Sequence, residues 1–434
     1  MSWNFMTDPA FAAELAWVEE FVREEVEPLD LLLAEPADKD DVAAARIVRP
    51  LQDEVRKRGL WAAHLGPELG GQGYGQVKLA LLNEILGRSY WAPTVFGSQP
   101  PDSGNSEILA HYGTPEQKRL YLEPLLAGEI SSAYSMTEPH AGADPSLFTT
   151  GAVSDGDEWV LNGEKWFTTN ARYARFLVVL AVTEPGKDVH AGMSMFLVPT
   201  DTPGVNIVRN VGLGTEPAGH GTHGYVRYTD VRLPLDAMLG ERGAAFGIAQ
   251  ARLAGGRLHH AMRTVGLVRQ AFDMMCERAV SRRVRDGAAL AAMQTTQERI
   301  ADSWVELEQF RLLVLQTAWQ MDNASDPRHV RKHIAAVKIA MPKVLHDVAQ
   351  RALHLHGSLG VSNEMPFATM MVWAEVMGLA DGPTEVHRGT LAREVLRDYA
   401  PVDPVWPSGH LPTRLSAARE RFGQALPAPA IGDV

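Results

Sequence analysis

The hydrophobic periodicity of this chain changes twice, and those two changes constrain its fold more than any single motif does. Up to about Gly128, apolar residues return every three to four positions, which places them on one face of a helix. Ala10–Val26, Asp41–Arg58, Gln76–Gly87 and Thr114–Leu126 carry this pattern, and Thr114-Pro115 supplies a cap followed by an N1 proline. From about Glu129 to Leu239 the apolar runs shorten and become β-branched: EWVLNGEKWFTT, RFLVVLAVT, MSMFLVPT, VNIVRNV and YVRYTDVRLP. These predict a sandwich or barrel, with hairpin turns at Asp155-Gly156 and Asn162-Gly163. After Leu239-Gly240 the helical period resumes in Ala244–Arg282, Leu290–Asp322, Arg328–His356 and Pro383–Asp398, four amphipathic segments that predict a bundle.

The expected fold is therefore α+β: an N-terminal helical domain (1–128), a middle β-barrel or sandwich domain (129–240), a C-terminal four-helix bundle (241–400) and a proline-rich tail (401–434) read as an extended surface arm. The glycines of GPELGGQGYG, Gly66–Gly75, mark a loop, either a phosphate cradle or, more commonly, a connector. A net charge of −12 lacks the basic face that nucleic-acid phosphates require. The single cysteine, Cys276, rules out an internal disulfide framework and reads as inert core. The N-terminus has no basic-then-apolar leader and no apolar run is long enough to span a bilayer, so the expected compartment is the cytoplasm.

Three separated strings occur in one order: YSMTEPHAGADPSLFTTGAV at Tyr134–Val153, NGEKWFTTN at Asn162–Asn170 and ADGPTEVHRGTLARE at Ala380–Glu394. Together they resemble the acyl-CoA dehydrogenase family, flavoproteins that remove two hydrogens from the α and β carbons of a thioester. PPDSGNSEIL, AQARLAGGRLHHAMR and LADGPTEVH further resemble the subgroup that in animals is fused to a kinase-like domain. The resemblance implies FAD as cofactor, an acyl-CoA substrate, an electron-transfer flavoprotein as acceptor, and a homodimer or homotetramer built through the bundle.

Carried over by position, it places Asp381 at the base that takes the α-proton, one methylene shorter than the usual glutamate. Shielding by a bound acyl chain brings such a carboxylate towards a working base; an acidic residue favoured by the dipole of the helix that Pro383 would start as N1 is the bland reading. A second base location used by some relatives is Gly256 here, which closes that route. Tyr134, Met136 and Thr137 fall beside the flavin ring, Gly142 and Ala143 near the cofactor and thioester arm, and Phe167 and Thr169 at the ring-contacting strand. Arg282, His354 and Gly357 fall on the adenosine side of the cofactor and Glu385 is also carried over as cofactor-binding; the family's aromatic is missing from Arg282–Gly287, and His354 and Ser358 replace the usual glutamine and second glycine. Arg257 is the candidate for seating the thioester or CoA, with helix packing as its alternative.

Strict strand alternation would point Trp166 away from Phe167, into core or interface. His259, His260, His354, His356 and His387 lack metal-ligand spacing; His354 and His356 should fall on different helix faces, and no metal is expected. A non-catalytic scaffold and an oxygen-using acyl-CoA oxidase stand as alternatives to the dehydrogenase.

Overall fold

A computed structural model describes residues 7–425 apart from 70, 215, 218, 325 and 326. Gly70 of the glycine-rich loop and residues 426–434 of the tail lie outside the described residues. The longer N-terminal helices are α1 (Pro9–Phe21), α2 (Val42–Lys57), α3 (Gln76–Leu86) and α4 (Asp102–Tyr112). α1, α2 and α3 start where a side chain supplies acceptors for orphan amides, whereas α4 follows Pro101 without a side-chain cap. The Asp41 carboxylate accepts from the Ala43 and Ala44 N–H groups, both at 2.9 Å. Gly75 has no side chain to cap α3, and Asp322 from the far end of the chain does it instead, accepting from Gln76 and Val77. The Thr114 cap forms with its Gln117 partner, but the segment then breaks into three short helical pieces, Pro115–Gln117, Lys118–Leu122 and Glu123–Ala127, with Pro124 at the start of the last.

The middle strands are β1 (Ser131–Ser135), β2 (Gly151–Asp155), β3 (Glu158–Thr169), β4 (Ala174–Val182), β5 (Met193–Pro199), β6 (Val205–Val211), β7 (His223–Pro234) and β8 (Met238–Leu239). They form one mixed sheet in the order β6-β7-β3-β2-β4-β5-β8, with β1 parallel to β4, and the path ends at β6 and β8 instead of closing. β4 and β5 are covered on both faces: Phe176, Val178, Leu180, Met195 and Leu197 feed one core, and Leu177, Val179, Ala181, Phe196 and Val198 feed another.

Asp155-Gly156 turns the β2–β3 hairpin as expected, with Asp155 opposite Glu158. Asn162-Gly163 does not turn the chain; it is an irregularity inside β3. The Asn162 side chain is taken up by Asp230 on β7, accepting from its N–H and donating to its carboxylate. Gly163 is needed because a Cβ there would lie 2.5 Å from Thr150 Oγ1, at φ 147°. The same dipeptide that favours a two-residue turn here relieves a crowded strand.

The C-terminal helices are α5 (Ala245–Ser281), α6 (Gln294–Asn323), α7 (Arg331–His356), α8 (Phe367–Leu379) and α9 (Thr384–Leu396). α8 is a fifth helix beyond the four read from periodicity; its apolar residues run around the whole circumference, so no stripe marks it. α7 packs against α5, α6, α8 and α9. The tail is not wholly extended: it carries α10 (Leu411–Phe422), exposed throughout.

N-terminal helices and bundle share one apolar core, in which Val18, Leu79, Leu86 and Phe96 meet Leu258, Met262, Val265, Phe310 and Met341. Two glycines allow this contact. A Cβ on Gly87 would fall 2.0 Å from the Arg263 carbonyl oxygen, and one on Gly266 would fall 2.0 Å from that of Glu84. Gly266→Ala should therefore force α3 and α5 apart and cost roughly 1–3 kcal/mol or more, read as a lower denaturant midpoint; an unchanged midpoint would show that the backbones are free to separate.

Candidate functional site

The Asp381 turn joins α8 to α9 and is held from three sides. Lys338 of α7 is buried and donates to the carbonyl oxygens of Met377 and Ala380, both at 2.7 Å, stapling the end of α8. Burial lowers its ammonium to about 8. Arg257 of α5 donates through Nε to the Asp381 carbonyl oxygen at 2.9 Å, and His387 Nε2 lies 3.4 Å from the same oxygen. These contacts hold Asp381 at φ 55°, a left-handed conformation that a non-glycine residue adopts only when its surroundings impose it.

With its backbone fixed, the Asp381 side chain faces α5. Its Oδ2 is 3.6 Å from where a Cβ on Gly256 would be, and 3.7 Å from His260 Nε2. It does not cap α9, whose N-cap is Pro383 (not N1) and carries no side-chain hydrogen bond. The carboxylate is partly screened, 18% exposed, beside the glycine-bearing face of α5.

Tyr134 connects this turn to the β domain. Its ring lies under the Arg252 guanidinium at 4.0 Å, its hydroxyl has no hydrogen-bond partner, and burial, reinforced by the charge of Asp381, pushes the phenol up. Arg252 is itself held, donating to Asn105 Oδ1 at 3.0 Å. Two residues beyond Tyr134 the chain reaches Met136 and Thr137, and a buried ion pair fixes them. Lys165, 0% exposed, donates to the Met136 carbonyl oxygen at 2.7 Å and to Glu138 at 2.9 Å. Glu138 also accepts from the Thr149 and Thr150 amides. Burial pushes Glu138 up and Lys165 down, but Lys165 and the amide donors together bring Glu138 below its usual range, so the pair is ionised at neutral pH.

Lys165 and Thr168 are both buried, and the β3–β7 register shifts between them. Phe167 takes φ 57°, alternation fails, and Trp166 and Phe167 emerge on the same side, ring centroids 5.8 Å apart. Trp166 is therefore neither core nor opposed to Phe167; its ring packs on Tyr225 and Arg209, and its backbone N–H donates to the Thr137 carbonyl oxygen at 2.8 Å. Phe167 is 40% exposed and stacks on His223 at 4.4 Å, while Thr169 Oγ1 is 2.9 Å from His223 Nδ1. Burial lowers His223 to about 4, so this ring is neutral.

Met136 is thus bonded to the ion pair and Thr137 to the Trp166 backbone, Phe167 and Thr169 meet His223, Tyr134 lies under Arg252, and Arg257 meets Asp381. Gly142, at φ 54°, and Ala143 are exposed on the loop that follows, and a Cβ on Gly142 would meet nothing within 4 Å. Arg282, His354, Gly357 and Glu385 are exposed and make no contact with this cluster in the described hydrogen bonds. His354 is exposed and His356 buried, on separate faces of α7. Among the described residues no group of three or more His, Cys, Asp or Glu side chains is arranged for a metal ion. Cys276 is half-buried, not core, and burial raises its thiol.

Sequence reasoning missed Lys165, Glu138, His223, His260, Arg252 and Glu107. Glu138 and Lys165 stood inside strings already singled out, but their pairing across 27 residues is a tertiary fact. Glu107 lies on α4 with its carboxylate 3.6 Å from where a Cβ on Gly255 would be, and it has no hydrogen-bonding or ion-pair partner among the described residues. Nearby, His64, with both ring nitrogens buried and unbonded, and His259, with Nε2 buried and unbonded, line a cavity of about 10 Å³ with Arg263, Ser98 and Asn83. That is room for about one water.

Two outcomes test these assignments. Lys165→Met strands a buried carboxylate and should cost about 3–5 kcal/mol in denaturant unfolding; a loss under about 1 kcal/mol would show that the pair is not ionised. Burial lifts Glu107 from 4.5 to about 7. A folded value above the unfolded one gives stability that is complete below pH 4.5 and lost as pH rises through 7. Glu107→Gln should therefore stabilise the protein near pH 8 by on the order of 1–2 kcal/mol, allowing for partial solvent access, and change little below pH 4.5; equal effects at both pH values would contradict this.

Family models described as acyl-CoA dehydrogenase N-terminal, middle and C-terminal domains match residues 13–129, 133–231 and 243–396. The chain is 39% identical over 397 residues to a Mycobacterium tuberculosis protein named probable acyl-CoA dehydrogenase FadE2, covering 91% of this chain and 93% of that protein. It is 37% identical over 396 residues to acyl-CoA dehydrogenase family member 11 of Rattus norvegicus, covering 89% of this chain but spanning only 50% of the rat protein. A solved structure from Mycobacterium abscessus, 39% identical, superposes with a TM-score of 0.84 over 91% of this chain and 100% of its own.

Proposed function

Because the chain belongs to the acyl-CoA dehydrogenase family, we propose that it carries out FAD-dependent α,β-dehydrogenation of an acyl-CoA thioester, with Asp381 as the base that takes the α-proton. The observation that carries this reading is the Asp381 turn: a left-handed residue whose carbonyl is pinned by Arg257 and whose carboxylate opens onto the Gly256 face of α5. No helix among the described residues is long and apolar enough to cross a membrane.

The residues around β1 and β3 fit a flavin ring. Phe167 offers an exposed aromatic surface, the buried Tyr134 hydroxyl lacks a partner, and Gly142 leaves open space at a left-handed turn. Tyr134, Met136, Thr137, Phe167 and Thr169 would hold the ring, with Gly142 and Ala143 beside it. Arg282, His354, Gly357 and Glu385, exposed in one chain, are assigned to the adenosine side of a cofactor shared across a homodimer or homotetramer. When bound, FAD supplies the acceptor for the β-hydride.

The chain's own part is geometric and electrostatic. Arg257 and His387 fix the carbonyl of residue 381, so the carboxylate cannot swing with its backbone. A fixed base converts proton abstraction into an effectively intramolecular step. Arg257 also presents a cation beside the turn, suited to seating the thioester end of a CoA derivative. An electron-transfer flavoprotein is the proposed electron acceptor, and the cytoplasm the proposed compartment. The scaffold alternative draws on the exposed, aromatic-free Arg282–Gly287 loop, and the oxidase alternative on oxygen as acceptor.

Anaerobic titration of the purified holoprotein with a panel of acyl-CoAs separates these. A dehydrogenase bleaches its flavin band with a matching thioester and reoxidises slowly in air; an oxidase reoxidises fast with peroxide; a scaffold shows no flavin spectrum. Asp381→Asn should keep fold and flavin and slow the bleaching by on the order of 10²–10⁴-fold, and bleaching at the parental rate excludes Asp381 as the base.

A further inference from the structure

His260 lies on α5 four residues after Gly256, so the two share a helix face, and both look onto the Asp381 carboxylate. Gly256 contributes no side chain, so the flank of the carboxylate is open there. The imidazole of His260 is the next group along the same face, its Nε2 3.7 Å from Asp381 Oδ2. That distance is one small rotation short of a hydrogen bond, and catalytic contacts of this kind tighten when substrate fills the site. We propose that His260 is a positioning residue for the reaction: its Nε2–H steers and holds one oxygen of the Asp381 carboxylate, leaving the other free to receive the α-proton. This rests on the reading of Asp381 as the base.

The charges around His260 favour this role. From α5, Arg252 and Arg263 repel a proton on the ring; from α7, Lys338 does the same; only Asp381 attracts one. Burial is the largest influence, and together they lower His260 to about 4. The ring is neutral at working pH and has one N–H to give. Arg263 is itself buried, lowered to about 10, and donates to the Ser98 carbonyl oxygen, so it remains a cation that does not reach the carboxylate by any described hydrogen bond. Arg257 is spent on the Asp381 backbone, and Lys338 on the carbonyls of Met377 and Ala380. Among the described ion pairs, His260 is the partner that comes within 4 Å of the carboxylate itself.

An aspartate is a methylene shorter than the glutamate the family commonly uses, so it has fewer torsions to aim with and less reach to recover from a poor orientation. A donor that selects one of its rotamers is worth more to it. A donor to an ionised carboxylate also favours the charged form, so losing that donor moves the acid limb of the rate profile to higher pH.

The test uses two polar replacements of different reach. His260→Gln carries its amide nitrogen close to the position of Nε2, whereas His260→Asn stops near Nδ1, short of Asp381. In each holoprotein, and in the parent and Asp381→Asn, the rate of anaerobic flavin bleaching by one acyl-CoA is measured across pH by stopped flow, with the flavin spectrum as the control for folding. The expected result is that His260→Gln keeps the parental profile, while His260→Asn bleaches about tenfold more slowly at neutral pH with its acid limb moved up by about one pH unit and little change in the substrate concentration giving half-maximal rate. An Asn profile that superposes on the parent overturns the positioning role, as does a Gln profile displaced as far as the Asn one. If Asp381→Asn bleaches at the parental rate, it is the base assignment that has failed, and the His260 profiles are not needed to see it.

Discussion

The Lys165–Glu138 pair is the contact on which the geometry of the β-domain side of the site depends. Two charges with almost no solvent access persist only because each is fully engaged: the ammonium by a carboxylate and the Met136 carbonyl, the carboxylate by that ammonium and the Thr149 and Thr150 amides. To bury Lys165, β3 must turn its side chain inward, and to bury Thr168 as well the strand must give up strict alternation. The bulge that results sends Trp166 and Phe167 outward together. A hydrophobic pair of similar volume at 165 and 138 would give the sheet no reason to hold the 136–138 segment in register with β3.

On the helical side the corresponding constraint is the close approach of α3 and α5. Gly87 and Gly266 let two backbones touch, and this seats α5 so that its Arg252–Arg263 stretch faces both α4 and the α8–α9 turn. Asp381 is then held by residues from α5, α7 and α9 that are 124, 43 and 6 positions away in the chain, through Arg257, Lys338 and His387. The site is an intersection of elements rather than a loop with its own structure. Close by, His64, His259 and Arg263 share a small cavity with Leu60, Leu79, Leu82, Leu86 and Phe96. Unpaired polar atoms there carry a cost that a purely structural core would avoid.

Much of this was legible beforehand. The helical segments around Asp41 and Gln76, the Asp155-Gly156 hairpin and the long α5 follow from periodicity and capping, which are local properties. The three motifs in their order, through the family they resemble, led to the expectation that Tyr134, Phe167 and Asp381 belong to one site. Two readings failed for one reason: a local rule met a non-local demand. Asn162-Gly163 favours a turn until Thr150 crowds the strand and Asp230 claims the asparagine. Strand alternation predicts opposite faces for Trp166 and Phe167 until Lys165 must find Glu138. α8 shows no stripe because the residues off its buried face, which is Phe367, Met370, Ala374 and Met377, are largely apolar too.

What the sequence by itself determined is the succession of helix, sheet and helix, and which residue types recur in the motifs, because both are written in near-neighbour spacing. Only the tertiary structure decided what each carboxylate meets: Glu138 is ion-paired with Lys165, Asp381 faces His260, and Glu107 has the charge of Arg252 near it but no described hydrogen bond. All three are ordinary acidic residues in the sequence. Their difference comes from what folding brings within about 4 Å of each, since the interaction of a charge with its surroundings falls with distance and rises steeply once water is excluded.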